Sequence, residues 1–151
     1  MWPIFQAVVA TGTTYVFAPD TPREDARAYW FGAGIRSFAA EDEGRIVGMY
    51  KLIANNRDLG SHVANASFMV DPAASGRGHG EAMGRHCLGE ARRAGFLAMQ
   101  FNFVVSTNTA AVKLWQRLGF AIVGTLPAVF QHRELGLVDA YVMHRRLDDV
   151  E

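Results

Sequence analysis

The sequence predicts an α/β fold, a mixed sheet with helices on its faces, and three observations carry that expectation. Short apolar runs of strand character alternate with segments whose apolar residues recur at helical spacing, and glycine and proline punctuate the boundaries. The order is helix, three strands, helix, strand, helix and two strands, which suits a sheet covered by helices. The 151 residues are 50% hydrophobic and 20% charged, enough for one domain over residues 1–151 with a core able to fold alone.

Thr21-Pro22-Arg23-Glu24 reads as an N-cap followed by proline at the first helical position. Glu24 and Asp25 then suit the positive end of a helix running to about Trp30. Ile35 to Ala40, the turn Glu41-Asp42-Glu43-Gly44 and Arg45 to Ala54 read as a hairpin of two strands. Val63 to Val70 is a third strand, ended by Asp71-Pro72 because proline cannot extend the ladder. Ala82, Met83, Cys87, Leu88, Ala91 and Ala94 fall on one helical face, with Gly95 as the stop. Leu97 to Val105 is apolar enough for a strand covered on both faces. A short helix from about Thr109 closes at Gly119, and Phe120 to Leu126 and Val138 to Arg145 supply the last strands. No topology is assigned before about residue 22.

Composition excludes several classes of function. Fifteen basic residues balance fifteen acidic ones, so no bulk positive charge draws the chain to nucleic acid. The single Cys87 rules out a disulfide framework and a multi-cysteine zinc site, and a reducing cytoplasm is the expected compartment. No apolar run reaches the roughly 18 residues of a membrane span, and Met1-Trp2-Pro3 lacks the basic start of a secretory signal. The five histidines show no metal-ligand spacing, so surface or loop roles are expected for His62, His79, His86, His132 and His144. Cys87 lies on an apolar helical stripe and reads as a buried, inert thiol.

The most informative segment is Val70-Asp71-Pro72-Ala73-Ala74-Ser75-Gly76-Arg77-Gly78-His79-Gly80-Glu81, between a strand and a helix. Backbone N–H groups and a helix N-terminus converge there, and glycine lets an anion approach the main chain. The segment is not a P-loop, since no Gly-Lys-Ser/Thr follows. It also fails the Rossmann spacing, because Glu81 stands where a third glycine belongs and no acidic residue lies near position 96. A flexible turn using glycine for conformation alone is the alternative.

In this context the segment resembles motif A of the GNAT acyl-CoA-dependent N-acetyltransferases, Gln/Arg-x-x-Gly-x-Gly/Ala, with Ser75 in the first place and Gly78 and Gly80 matching. Asn108-Thr109-Ala110-Ala111-Val112-Lys113-Leu114-Trp115-Gln116-Arg117-Leu118-Gly119-Phe120 resembles the family's second block, with Asn108, Ala111, Gly119 and Phe120 in register. The resemblance covers about residues 35–147, whereas Trp2 to Phe17 does not reproduce the family's usual first elements. It implies a mostly antiparallel sheet with a splayed central strand pair, in a fold that often dimerises. It also implies acetyl-CoA as cosubstrate, with no metal. The diphosphate would sit on the N–H groups of Gly76, Arg77, Gly78, His79, Gly80 and Glu81, and the pantetheine arm along Val63 to Val70. An N–H near Met69 or Val70 would polarise the thioester carbonyl.

Acid and base are missing from their usual places. Many family members protonate the departing thiolate with a tyrosine in the second block, where this chain has Trp115, whose indole has negligible acidity. Either another group substitutes or the thiolate leaves unassisted, which a thiol pKa of about 8.5 permits. Packing alone also accounts for Trp115. Ala64 and Ala66 stand where other members often carry Glu or His, while Asn65 and Ser67 point to the opposite side. On the next strand, alternation places Gln100, Asn102 and Val104 on one face and Met99, Phe101, Phe103 and Val105 on the other.

Asn65 and Asn102 on otherwise apolar strands ask for a reason, since a buried amide without partners costs about 1–3 kcal/mol. Each could satisfy a backbone group at a strand edge or bulge. The runs 59–70, 98–106 and 136–144 look like the fungal GNAT branch acting on proline analogues such as azetidine-2-carboxylate. That branch implies that Asn65 and Asn102 serve the acceptor, with Asn65 the catalytic candidate, and that Asn108 faces the cofactor. Glu134, Asp139 and Tyr141 border the same end, and the sequence does not choose among them as proton relays. The expected activity is acetyl transfer to a small amine by direct attack in a ternary complex. A module that binds acyl-CoA without efficient turnover is the competing expectation, and a nucleotide-binding regulator a third.

Overall fold

The computed structural model describes residues 1–150, which form six strands, four α-helices and two short 3-10 helices. The helix α1 (Trp2–Val9) precedes everything the sequence assigns. Its Ile4, Phe5, Val8 and Val9 are buried with Ala26 and Trp30 of α2 (Arg23–Phe31). Helix α2 starts one residue later than the capping pattern predicts. Pro22 is its N-cap, and the Thr21 hydroxyl turns back to donate to the Ala18 carbonyl at 2.6 Å, so it caps nothing.

The strands β1 (Arg36–Asp42) and β2 (Arg45–Ala54) form the expected hairpin, closed by Glu43 and Gly44 with φ of 49° and 77°. Two successive positive φ angles match the right-handed twist of the flanking strands. β3 (Val63–Val70) pairs antiparallel with β2 along its length. Helix α3 (His79–Arg93) returns the chain to β4 (Ala98–Val105), and α4 (Thr109–Arg117) leads to β5 (Ala121–His132) and β6 (Gly136–Arg146). The sheet order is β1-β2-β3-β4-β6-β5, and β3–β4 is its one parallel pair among the described residues. That pair registers only Val63 with Ala98 and Ala64 with Met99, and the two strands then part.

Helices α3 and α4 cover one face of the sheet over a core that includes Leu52, Cys87, Met99, Phe101, Trp115 and Met143. Helices α1 and α2 cover the other face together with Met49 and Met69. Cys87 is fully buried, and burial pushes its thiol pKa well up, as an inert core thiol requires.

Three local expectations are corrected. The register between β4 and β6 slips between Phe101 and Val104, so strict alternation fails: Val104 joins Met99 and Phe101 in the core, while Asn102 and Phe103 are exposed. β4 is therefore not covered on both faces. β5 runs well past Leu126, because a second slip opposite β6, with Ala128 at φ 53°, accommodates Pro127 within an edge strand. His132 is 7% exposed, and its Nδ1 accepts the Glu134 and Leu135 amides of the β5–β6 turn at 3.1 and 3.3 Å.

Candidate active site

Where β3 and β4 part, a cavity of about 730 Å³ opens between them. The hydrogen-bond phase of β3 sets which of its backbone groups face that opening. The Asn55 amide donates to the Val63 carbonyl on the β2 side, and the Leu97 amide donates to the His62 carbonyl on the β4 side. Alternation from these two fixed points turns Ala66, Phe68 and Val70 toward the opening, where β4 has left. The Asp71 amide, bonded to the Val47 carbonyl, confirms the phase at the far end. Of the two amides expected to polarise a carbonyl, only Val70 therefore faces the cavity; Met69 is directed at β2.

The glycine-rich loop lies at the end of this open edge. Asp71 organises its start by accepting the Ala73 amide at 3.0 Å. Gly76 and Gly78 have φ of 77° and 84°, and a side chain there would meet nothing within 4 Å, so glycine serves backbone conformation at both. Gly80 follows in the first turn of α3 and lines the cavity. Among the described residues, no protein acceptor is paired with the N–H groups of Gly76, Arg77, Gly78, His79, Gly80 or Glu81. Six unspent donors at a helix N-terminus fit a diphosphate.

The side chains of the loop are engaged elsewhere or free. The His79 ring lies 3.6 Å from Asp42 in the β1–β2 hairpin. Glu81 is bonded to Arg85 at 2.8 Å and approached by Arg117 at 3.7 Å, and the Arg85 hydrogen bond holds its carboxyl below the usual range. Arg77 is exposed beside the loop. Asn108 caps α4 by accepting the Ala111 amide at 3.3 Å, and it also borders the cavity.

Beyond the last parallel pair, a carboxamide cluster stitches the parting strands. Asn65 and Asn102 both donate to Oδ1 of Asn55, at 3.1 and 2.7 Å, and Gln100 donates to Oδ1 of Asn102 at 2.8 Å. The two expected acceptor-site asparagines are thus brought together, by a third residue that sequence reasoning missed. Asn55 follows the end of β2, and only the register that sets Asn65 opposite Ile53 brings it there.

The roof of the cavity comes from the N-terminal segment. Tyr15 donates to the Phe68 carbonyl at 2.6 Å, and Tyr29 of α2 shares a 2.6 Å hydrogen bond with Ser67. Burial pushes both phenols up from their ordinary pKa, which removes them as bases near neutral pH. Among the described residues, no Asp, Glu, His, Lys or Arg lines the cavity. Glu134, Asp139 and Tyr141 stand outside it, and the Asp139 carboxylate accepts the Ala128 amide at 2.9 Å.

Trp115 borders the cavity but is only 7% exposed, packed with ring centroids 4.8 and 4.7 Å from Phe68 and Phe101. Its packing role is established by these contacts. No group of three or more potential metal ligands occurs among the described residues. No helix is long and apolar enough to cross a membrane.

Comparison with known proteins agrees with this geometry. A GCN5-related N-acetyltransferase from Kribbella flavida superposes with a TM-score of 0.91 at 45% identity, covering 97% of this chain and 89% of that one. The Salmonella typhimurium protein yncA, solved with its cofactor acetyl-CoA, gives a TM-score of 0.82 at 26% identity and covers 97% and 86%. N-acetyltransferase aca1 of Schizosaccharomyces pombe is 30% identical over 107 residues, 70% of this chain and 51% of its own. The chain spans about half or less of the curated relatives it matches. The model of the acetyltransferase (GNAT) family matches residues 5–120, and the chain belongs to that family.

Proposed function

We propose that the protein is an acetyl-CoA-dependent N-acetyltransferase that acetylates the amine of a small molecule by direct attack in a ternary complex, with proline analogues and other amino acids as candidate acceptors. The observation that carries this reading is the continuity of six unpaired N–H groups, Gly76 to Glu81, with the open edge of β3. A diphosphate and an amide-bearing arm need such a sequence of partners. The acetyl-CoA found with yncA and the family membership support it. The small-amine and fungal-branch readings rest on Asn65 and Asn102 and on the similarity to aca1.

Acetyl-CoA supplies the acetyl group as a thioester, whose thiolate is a good leaving group. In this reading the backbone from Gly76 to Glu81 holds the diphosphate, Asn108 borders the arm, and Phe68 and Val70 pair with it. The Val70 N–H, fixed in direction by the β2–β3 ladder, meets the negative charge that develops on the carbonyl oxygen. Asn65 and Asn102 orient the amine, since a carboxamide donates and accepts but does not take a proton. Trp115 gives no proton.

The lack of a charged side chain along the cavity favours a second reading, a module that binds acyl-CoA with little turnover. Purified protein mixed with acetyl-CoA and a panel of amines, azetidine-2-carboxylate included, separates the two. Acceptor-dependent release of free thiol is the expected result. CoA binding without release from any acceptor would establish the second.

A further inference from the structure

Lys51 is a buried cation that the mechanism above does not use. It lies on β2, 7% exposed, and its ammonium donates to the Tyr29 carbonyl at 2.8 Å and sits 3.1 Å from the centre of the Tyr29 ring. Its register neighbours are Ser37 on β1 and Ser67 on β3, both uncharged. Lys51 does not line the cavity, but Tyr29 and Ser67 do, and they are joined by their hydroxyls. One layer of side chain therefore separates the ammonium from a cavity with no charged residue of its own. Through a neutral, poorly hydrated wall that field is weakly screened.

We propose that Lys51 sets the charge selectivity of the acceptor site, so that the cavity admits the acceptor as its uncharged amine and favours one that also carries an anionic group. This rests on reading the cavity as the acceptor site. An ammonium acceptor would meet a fixed like charge and no counter-charge, and it would also lack a side-chain base to remove its proton. A free amine meets neither obstacle on binding, since the extra proton of the ammonium is left in solvent. The proton its nitrogen sheds as the C–N bond forms and the C–S bond breaks passes to the departing thiolate, giving free CoA thiol. A carboxylate on the same molecule gains from the field and finds N–H donors on Asn65 and Asn102.

Two isosteric probes isolate the effect: betaine and 3,3-dimethylbutyrate share a carboxylate and a trimethyl head, and differ by one positive charge. Calorimetric titration into the CoA-saturated protein at pH 7 should show 3,3-dimethylbutyrate bound about tenfold more tightly, the size expected for one charge several ångströms away in an intermediate dielectric. Lys51→Met should bring the two affinities together, and Lys51→Arg should keep them apart. In the wild type the preference should also fall as pH rises past about 8, where burial brings the Lys51 pKa, since both probes keep their charges. Tyr29 and Tyr15 are the other titratable groups facing this region, and both are raised, so neither ionises in that range. Equal or tighter binding of betaine, an unchanged preference in Lys51→Met, or no binding of either probe would overturn the assignment. The thiol-release assay tests the transferase reading separately, because these titrations need no turnover.

Discussion

The Tyr15 hydroxyl donates to the Phe68 carbonyl at 2.6 Å, across 53 residues of chain, and so ties the N-terminal segment to the open edge of β3. Tyr15→Phe removes this bond from a largely apolar setting. It should lower stability by about 1 kcal/mol, the usual net value of one internal hydrogen bond, as measured by denaturant unfolding. CoA affinity should be nearly unchanged, because a carbonyl oxygen accepts two bonds.

Gly78→Asp should weaken CoA binding at least about tenfold, since it sets a carboxylate a few ångströms from the proposed diphosphate. Unaltered affinity in a direct titration would remove the loop from cofactor binding. The space around Gly78 is open, but its φ of 84° strains any side chain there by about 1–2 kcal/mol, so Gly78→Asn, similarly strained and uncharged, is the control that isolates the effect of the charge.

Asn65→Ala deletes one arm of the carboxamide cluster and one proposed contact with the amine. Turnover with the best acceptor should fall by about tenfold or more, while the dissociation constant of CoA stays within error. Asn55→Ala should lower acceptor affinity, because it removes the oxygen that orients both Asn65 and Asn102.

Trp115→Phe distinguishes packing from proton donation. A general acid is worth about 100-fold or more, so a drop of that size in turnover would make the indole a participant. Turnover close to wild type is expected, together with lower stability from the volume lost among Phe68, Phe101 and Phe120.

Lys51 also makes a prediction about stability. Burial lowers its pKa from 10.5 to about 8, so the folded state binds fewer protons than the unfolded state between those values. Stability contributed by this site therefore rises with pH from about 8 to 10.5, and below about 8 the full burden of the buried charge is present. Chemical denaturation of the wild type and Lys51→Met across that range should show the wild type gaining relative to the variant.

The hairpin, the glycine loop and the block from Asn108 to Phe120 were legible because each rests on local rules: positive φ at glycine, helical spacing, proline as a stop. The N-terminal helix was not, since its eight residues lack a capping side chain and gain their order from contact with α2. Asn65 and Asn102 stood out as polar residues on apolar strands, but Asn55 did not, because its role exists only through register. Lys51 shows the same limit. Its burial comes from Tyr29, whose distance along the chain conceals the contact. The bulge that sends Val104 into the core likewise depends on pairing with β6, which no single-strand pattern records.

The seam between β3 and β4 joins the two half-sheets through only two registered backbone pairs. Mechanically these are two plates, held elsewhere through side chains: the Asn55–Asn102 hydrogen bond and the core that includes Leu52 of β2 and Met143 of β6. Any long ligand laid along the gap would act as a rivet, joining plates that the backbone leaves apart. Occupancy should thus stiffen the whole domain, and its amides on either side of the gap should exchange with solvent in concert when the gap is empty and slow down together when it is filled.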